Sequence, residues 1–306
     1  MPLVSFDELI SAAEKGGYAV GYFESWDLHS LLAVADAARL THSPVLLGFS
    51  GLYLDHPDRL VQEPLSIYSA MGLELCRQLP VPAALVYNES PNMASVLEAA
   101  ALGFGLVMYS DETLDLDSQK QRVREAVSEA HRMDAAVEGE IISLPGVGGG
   151  LVEPLSKVPM TNVEEAIRFA AETGVDSLAV SLGQMHLHGR QRTKLNFDLL
   201  RDLNSALTIP LVLHGASSIA QDDLEAAVAL GIRKINFGSI LKQAYFEALR
   251  AACSDIGEIY NPYVVIGSGL GGDVLAAARQ AMRNEAADCM HLIGSAGKGQ
   301  PSVRVS

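Results

Sequence analysis

Two apolar, strand-like runs near the middle of the 306-residue chain each end on a histidine, Ser177-Leu-Ala-Val-Ser-Leu-Gly-Gln-Met-His186 and Ile209-Pro-Leu-Val-Leu-His214. Imidazoles at the carboxyl ends of consecutive buried strands suit a metal site better than a core, because parallel-sheet enzymes gather their chemistry at that edge. Beside them, His214-Gly-Ala-Ser217 and Asn236-Phe-Gly-Ser239 place glycines and small hydroxyls directly after two strand candidates. Such turns expose backbone N–H groups that can surround a phosphate, so Gly215, Ser217, Gly238 and Ser239 are candidate anion ligands.

The elements that must position these groups alternate. Apolar runs at 18–23, 44–49, 82–87, 105–109, 135–142, 177–182, 210–214 and 234–237 predict strands. Helical spacing at 28–41, 60–79, 93–102, 118–133, 162–173, 197–207, 221–230 and 239–252 follows them in turn. Eight strand–helix repeats favour an α/β fold of the (β/α)8 TIM-barrel type, with residues 1–306 as one catalytic domain. A doubly wound sheet is the alternative, but its Gly-x-Gly-x-x-Gly turn is absent after the first strand. Gly103, Gly174 and Gly231 each stand where a left-handed residue ends a helix and turns the chain into a strand. Ser5-Phe-Asp-Glu8 has the spacing of a capping box and opens an extra N-terminal helix, 6–15, that can close the barrel bottom. An extra C-terminal helix is expected at 273–290 and a mobile tail at 297–306.

Composition excludes several classes of function. A net charge of -15 without a Lys/Arg cluster argues against binding a nucleic-acid backbone. No apolar stretch approaches the roughly 20 residues that span a bilayer. Three widely spaced cysteines and the lack of a leader-like N-terminus predict a soluble protein of the cytoplasm. Cys76 falls on an apolar helix face and reads as core. His29, His42, His56, His131 and His291 read as surface or packing residues.

With Asp176-Ser-Leu-Ala-Val180 upstream, the two glycine turns resemble the class II, metal-dependent ketose-bisphosphate aldolases, nearest the tagatose-bisphosphate branch. The resemblance extends to Gly17-Tyr-Ala-Val-Gly-Tyr-Phe23, Ser43-Pro-Val-Leu-Leu47, Val137-Glu-Gly-Glu140 and Gly294-Ser-Ala296. It implies a TIM barrel, a divalent metal (usually zinc) that polarises a ketose carbonyl, and assembly as a homodimer or homotetramer. It also implies that His186 and His214 are metal ligands, and that Ser217, Asn236 and Ser239 hold the phosphate-bearing part of a ketose, with Ser239 in place of the usual Thr. Glu140 matches an acid lining the metal pocket.

Several residues depart from the pattern. The family's catalytic Asp-His at the end of strand three is here Asn88-Glu89. Asn cannot exchange a proton near neutral pH, whereas Glu can bind a metal or act as the base. Glu89 is therefore either the third ligand or the proton carrier. Glu24 replaces the usual Asn after Phe23, and Ser110 with Asp111 replaces an Asp after strand four. In Met185-His-Leu-His-Gly189, His188 is an alternative ligand to His186, and the displaced Gly189 remains a substrate-binding candidate. Gly146-Val-Gly-Gly-Gly150 has the composition of a lid, with Glu153 the nearest acid beyond it. Arg190, Arg192 and Lys194 are either phosphate contacts or solvated surface.

Three functions fit these residues. The first is a metal-dependent lyase that cleaves or forms a carbon–carbon bond in a phosphorylated ketose or related hydroxy-ketone through an enediolate. The second is an isomerase, epimerase or other enolising enzyme acting on a different sugar phosphate. The third is a non-catalytic relative that binds a sugar phosphate or a partner subunit.

Overall fold

The computed structural model describes residues 3–144, 158–185 and 192–299. In chain order the first half runs α1 (Phe6–Gly16), β1 (Val20–Ser25), α2 (Leu28–Thr41), β2 (Val45–Ser50), α3 (Gly51–Leu54), α4 (Leu65–Gln78), β3 (Ala83–Ser90), α5 (Met93–Ala101), β4 (Leu106–Tyr109) and α6 (Leu116–His131). The second half runs β5 (Ala136–Glu140), α7 (Val163–Thr173), β6 (Ser177–Ala179), α8 (Phe197–Ala206), β7 (Leu211–Leu213), α9 (Gln221–Ala229), β8 (Ile232–Phe237), α10 (Ser239–Ser254), α11 (Pro262–Val265) and α12 (Val274–Leu292). The eight strands are parallel and closed in sequence order, with β8 returning to β1 through the register Val20↔Lys234 to Phe23↔Phe237. This is the expected (β/α)8 barrel with additional helices at both ends.

Period-two alternation along each strand divides the side chains between the bore and the helical jacket. Low in the bore, Val20, Tyr22, Leu46, Ala84, Val86 and Leu106 meet Phe6, Leu9, Ile10 and Ala13 of α1. The N-terminal helix therefore closes the barrel bottom, as expected. Its start is the capping box: the Glu8 N–H donates to Ser5 Oγ, and the Ser5 N–H donates to Glu8 Oε2 at 3.0 Å. The alternate residues, among them Phe23, Leu47, Leu85 and Tyr87, face outward into the larger cluster under the helices. Cys76 is fully buried there, and burial pushes its thiol up to about 12. Gly103, Gly174 and Gly231 all take left-handed φ, at 92, 75 and 111°.

The structure corrects several boundaries. The helix expected from residue 60 begins at Leu65, because Pro64 is its cap, and Leu60 before it is 99% exposed. Strands six and seven are only three residues long, whereas β3 runs on to Ser90. The tail expected to be mobile from residue 297 is pinned at its start: the Gly297 N–H donates to Thr41 O and the Gly299 N–H to His42 O. The short helices α3 and α11 were not expected at all. Among the described residues, no helix is long and apolar enough to cross a membrane.

Candidate active site

Moving up the bore, the inward positions turn from hydrocarbon to charge. On β5 these are Glu138 and Glu140, on β8 Lys234 and Asn236, on β1 Glu24 above Tyr22, and on β3 Asn88. His214 follows β7, and its ring lies among the carboxylates.

His214 is 2% exposed and has an acid at each ring nitrogen: Nε2 lies 2.8 Å from Glu138 Oε1, and Nδ1 lies 3.0 Å from Glu89 Oε1 and 3.8 Å from Glu140 Oε1. Burial alone would lower the His214 pKa. The hydrogen bonds and charges of Glu138 and Glu89 outweigh it and raise the ring to about 10. Glu138 also accepts from Lys234 Nζ, at 3.1 Å on Oε1 and 2.9 Å on Oε2. Burial would raise the Glu138 carboxyl, but Lys234 and His214 bring it down to about 2. Lys234 in turn donates to Asn236 Oδ1 at 2.7 Å, and Asn236 Nδ2 donates to Asn88 Oδ1 at 3.4 Å. Burial pushes Glu140 up to about 7, opposed by His214 and reinforced by the Glu89 charge. The Ser110 and Ser143 hydroxyls donate to Glu140 Oε2 at 3.2 and 3.3 Å.

Glu89 reaches this cluster by an exception to alternation. Asn88 already points inward, so a regular strand would send residue 89 outward. The β3–β4 register shifts between Tyr87 and Ser90, and Glu89 has φ 51°, the left-handed region, so both Asn88 and Glu89 face the bore. That backbone costs about 1–3 kcal/mol for a residue with a Cβ. Asp55 secures it from outside, accepting from the Tyr87 hydroxyl at 2.7 Å and the Ser90 hydroxyl at 2.5 Å on either side of the kink. The Tyr87 hydroxyl is thus a brace in the jacket and does not enter the pocket.

A cavity of about 580 Å³ opens above the cluster, lined by Glu89, Asn88 and His214 and by Glu24, Gly238, Ser239 and Lys242. Gly215, Ser217 and Asn236 also line it, so the residues expected to hold an anionic substrate end come together. The buried hydroxyls of Tyr22 and Ser50 line the cavity without a hydrogen-bond partner among the described residues, an arrangement that favours a polar occupant. Arg192 contributes to the wall; Lys194 does not.

Glu89, Glu140 and His214 offer one donor atom each within 4.8 Å of one another, which fits a divalent cation. The Glu138–Nε2 contact suits a ligating imidazole: with Nε2–H held by a carboxylate, a cation that displaced the Nδ1 proton would meet a lone pair facing Glu89 and Glu140. Of the expected ligands, Glu89 and His214 meet, and Glu140, expected as a pocket acid, joins them. His186, His188, Gly189, Arg190 and Glu153 lie outside the described residues. Lys234, Glu138 and Lys242 were not singled out from sequence; their inward alternation with Asn236 and Glu140, and one turn of α10 for Lys242, carried the only signal. His131 is a surface residue as expected, with Nε2 2.9 Å from Asp176 Oδ2.

Comparison with known proteins finds a matching family and similar folds. The sequence profile described as "Fructose-bisphosphate aldolase class-II" matches residues 4–298. The crystal structure of the YdjI aldolase from Escherichia coli K12 is 26% identical, with a TM-score of 0.79 over 97% of this chain and 100% of that one. A putative fructose-1,6-biphosphate aldolase from Coccidioides immitis is 22% identical (TM-score 0.80, 96% of this chain and 97% of that one). Fructose-bisphosphate aldolase from Campylobacter jejuni is 19% identical (TM-score 0.75, 97% of each chain). The last two likenesses speak to the fold alone.

Proposed function

Because the chain belongs to the class II fructose-bisphosphate aldolase family, we propose that it is a metal-dependent lyase that breaks or forms a carbon–carbon bond in a phosphorylated ketose or related hydroxy-ketone. The observation that carries this reading is the convergence of Glu89, Glu140 and His214 beside a cavity lined by two glycine–serine turns. His214, Glu140 and Glu89 would hold the ion, for which zinc suits a nitrogen–carboxylate set. When bound, it supplies a fixed positive charge that polarises the ketose carbonyl and stabilises the enediolate left by cleavage.

The protein's own residues do the remaining work. Glu138 orients His214 and, with Lys234, keeps the ring's far side charged and rigid. Gly215, Ser217, Gly238 and Ser239 receive the anionic end of the substrate, and Asn236 with Asn88 forms the polar floor beneath its carbon chain. Glu89 faces the cavity and is placed to take the proton from the hydroxyl whose carbon leaves. Glu89→Gln separates its two roles: metal retained with activity lost marks a base, and both lost marks a ligand.

The test of the main reading is an assay with fructose and tagatose bisphosphates, with and without zinc, the tagatose sugar being the one the sequence resemblance favours. Silence toward both with metal bound rejects ordinary aldol cleavage. A second reading, enolisation without cleavage, is favoured by Asn88, which cannot exchange a proton where the family uses Asp. Solvent deuterium entering a ketose that stays intact would establish it. Exposed Ile259 (98%) and Tyr263 (87%) between α10 and α12 support assembly as a homodimer or homotetramer.

A further inference from the structure

Next to the strand that leads to His214, the tops of β1 and β8 present a carboxylate where an anion-binding turn is expected. Phe23 and Phe237 pair across these strands with their rings stacked 5.2 Å apart, so the residues after them, Glu24 and Gly238, are neighbours at the cavity mouth. A Cβ built on Gly238 would lie 2.5 Å from Glu24 Oε2. The carboxylate thus rests on the glycine backbone, in space any side chain would fill. Gly238 is also the N-cap of the 16-residue α10, which has no side-chain cap of its own. The positive end of the helix therefore has the Glu24 carboxylate as its adjacent negative charge. Lys242, one turn into α10, binds Glu24 Oε1 at 2.5 Å and covers the Tyr53 ring at 3.8 Å from its centroid. Lys242 is 35% exposed against 15% for Glu24, so the ammonium is the partner with room to turn into the cavity. Ser217 completes this wall, its Oγ accepting the Ile240 N–H at 3.2 Å.

We propose that Glu24 competes with the substrate's phosphate monoester for one seat, formed by Gly238, Ser239 and Lys242, and so sets how tightly this subsite holds a phosphorylated ligand. The proposal rests on the phosphorylated-ketone reading above and deepens it. A glycine cradle, a helix N-terminus and a lysine are what a phosphate group needs, and the protein's own carboxylate binds the lysine and packs against the glycine that caps the helix. Phosphate enters by displacing Glu24 from Gly238 and taking over Lys242. An ordinary structural ion pair predicts otherwise: removing its acid would leave Lys242 loose and gain no ligand affinity.

Titration calorimetry of the full-length protein in chloride buffer, with inorganic phosphate, dihydroxyacetone phosphate and uncharged dihydroxyacetone, tests this. Glu24→Gln is expected to tighten both phosphate ligands by at least about tenfold while changing dihydroxyacetone by less than about twofold. Lys242→Met is expected to weaken both phosphates by at least about tenfold, and the double variant to lose the gain. Glu24→Asn, checked by thermal melting, replaces Glu24→Gln if the latter does not fold. Unchanged or weaker phosphate binding in the neutral variants, or an equal gain for dihydroxyacetone, overturns the proposal. Failure of the parent reading shows separately: zinc-loaded wild type would then neither cleave ketose bisphosphates nor exchange the hydroxymethyl protons of dihydroxyacetone phosphate, whatever the order of affinities.

Discussion

The two parts of the barrel bore belong to one closed sheet and are packed by opposite rules. At the bottom, α1 drives Phe6, Leu9 and Ile10 against Val20, Leu46 and Val86, all within 5% of fully buried and all hydrocarbon. The bore-facing residues of β3, β5 and β8 include Asn88, two positions above Val86, together with Glu138, Glu140, Lys234 and Asn236. The lower half gains from every methylene it removes from water. The upper half holds ions out of water, which is costly unless each finds a partner. The contrast shows where the stability of the fold is created and where part of it is given up for chemistry.

Breaking the upper half should cost most. Lys234→Met leaves Glu138 buried with one cationic partner in place of two, and a broken buried pair typically loses about 3–5 kcal/mol. Urea unfolding of the metal-free protein should show that loss. A change under about 1 kcal/mol would mean that water reaches Glu138 and that the bore is less dry than its packing implies. In the lower half, Leu9→Ala should cost about 3 kcal/mol, the middle of the range for a buried leucine. Its kcat and metal affinity, measured well below the melting temperature, should be those of wild type. If they fall, the plug and the site are mechanically coupled and the comparison between the two halves is wrong.

The lower half was more legible in sequence than the upper. Hydrophobic periodicity marks each strand and helix locally, so eight repeats and a capping box at Ser5 were enough to foresee a plugged barrel. The four-residue α3 and α11 escaped because one turn carries no period, and Pro64 moved the start of α4 past an apolar pair that lies in solvent. In the upper half, the residue types were visible but not their partners. Lys234 and Glu138 are 96 positions apart, and nothing local announces their pairing. Alternation alone would have turned Glu89 outward; the kink that turns it inward depends on Asp55, 35 residues before Ser90. The family resemblance located Asn88-Glu89 as a departure and Glu140 as a pocket acid, and only the fold showed Glu140 close enough to share a cation with Glu89 and His214.

The smallest of the effects, and the one that separates the two halves without a mutation, is the pH dependence of the chelated protein. Hydrocarbon does not titrate, so any dependence beyond that of the surface reports the upper cluster. The Glu140 carboxyl is held up at about 7 by burial, above its ordinary 4.5. Its contribution is full below pH 4.5 and is lost as pH rises through about 7, because the unfolded chain ionises first. His214 at about 10 contributes in the same sense, fully present below 6.5 and lost as pH rises through 10. Glu138, lowered to about 2, runs the other way: its contribution is present above 4.5 and lost as pH falls through 2. Stability without metal should therefore be greatest near pH 4.5 to 5 and decline by about 2–3 kcal/mol by pH 7. Chelated protein followed by urea unfolding across pH 4 to 9 would show this. Stability that rises from pH 5 to 7 would mean that Glu140 ionises at its ordinary value, and that the bore above the plug is wet.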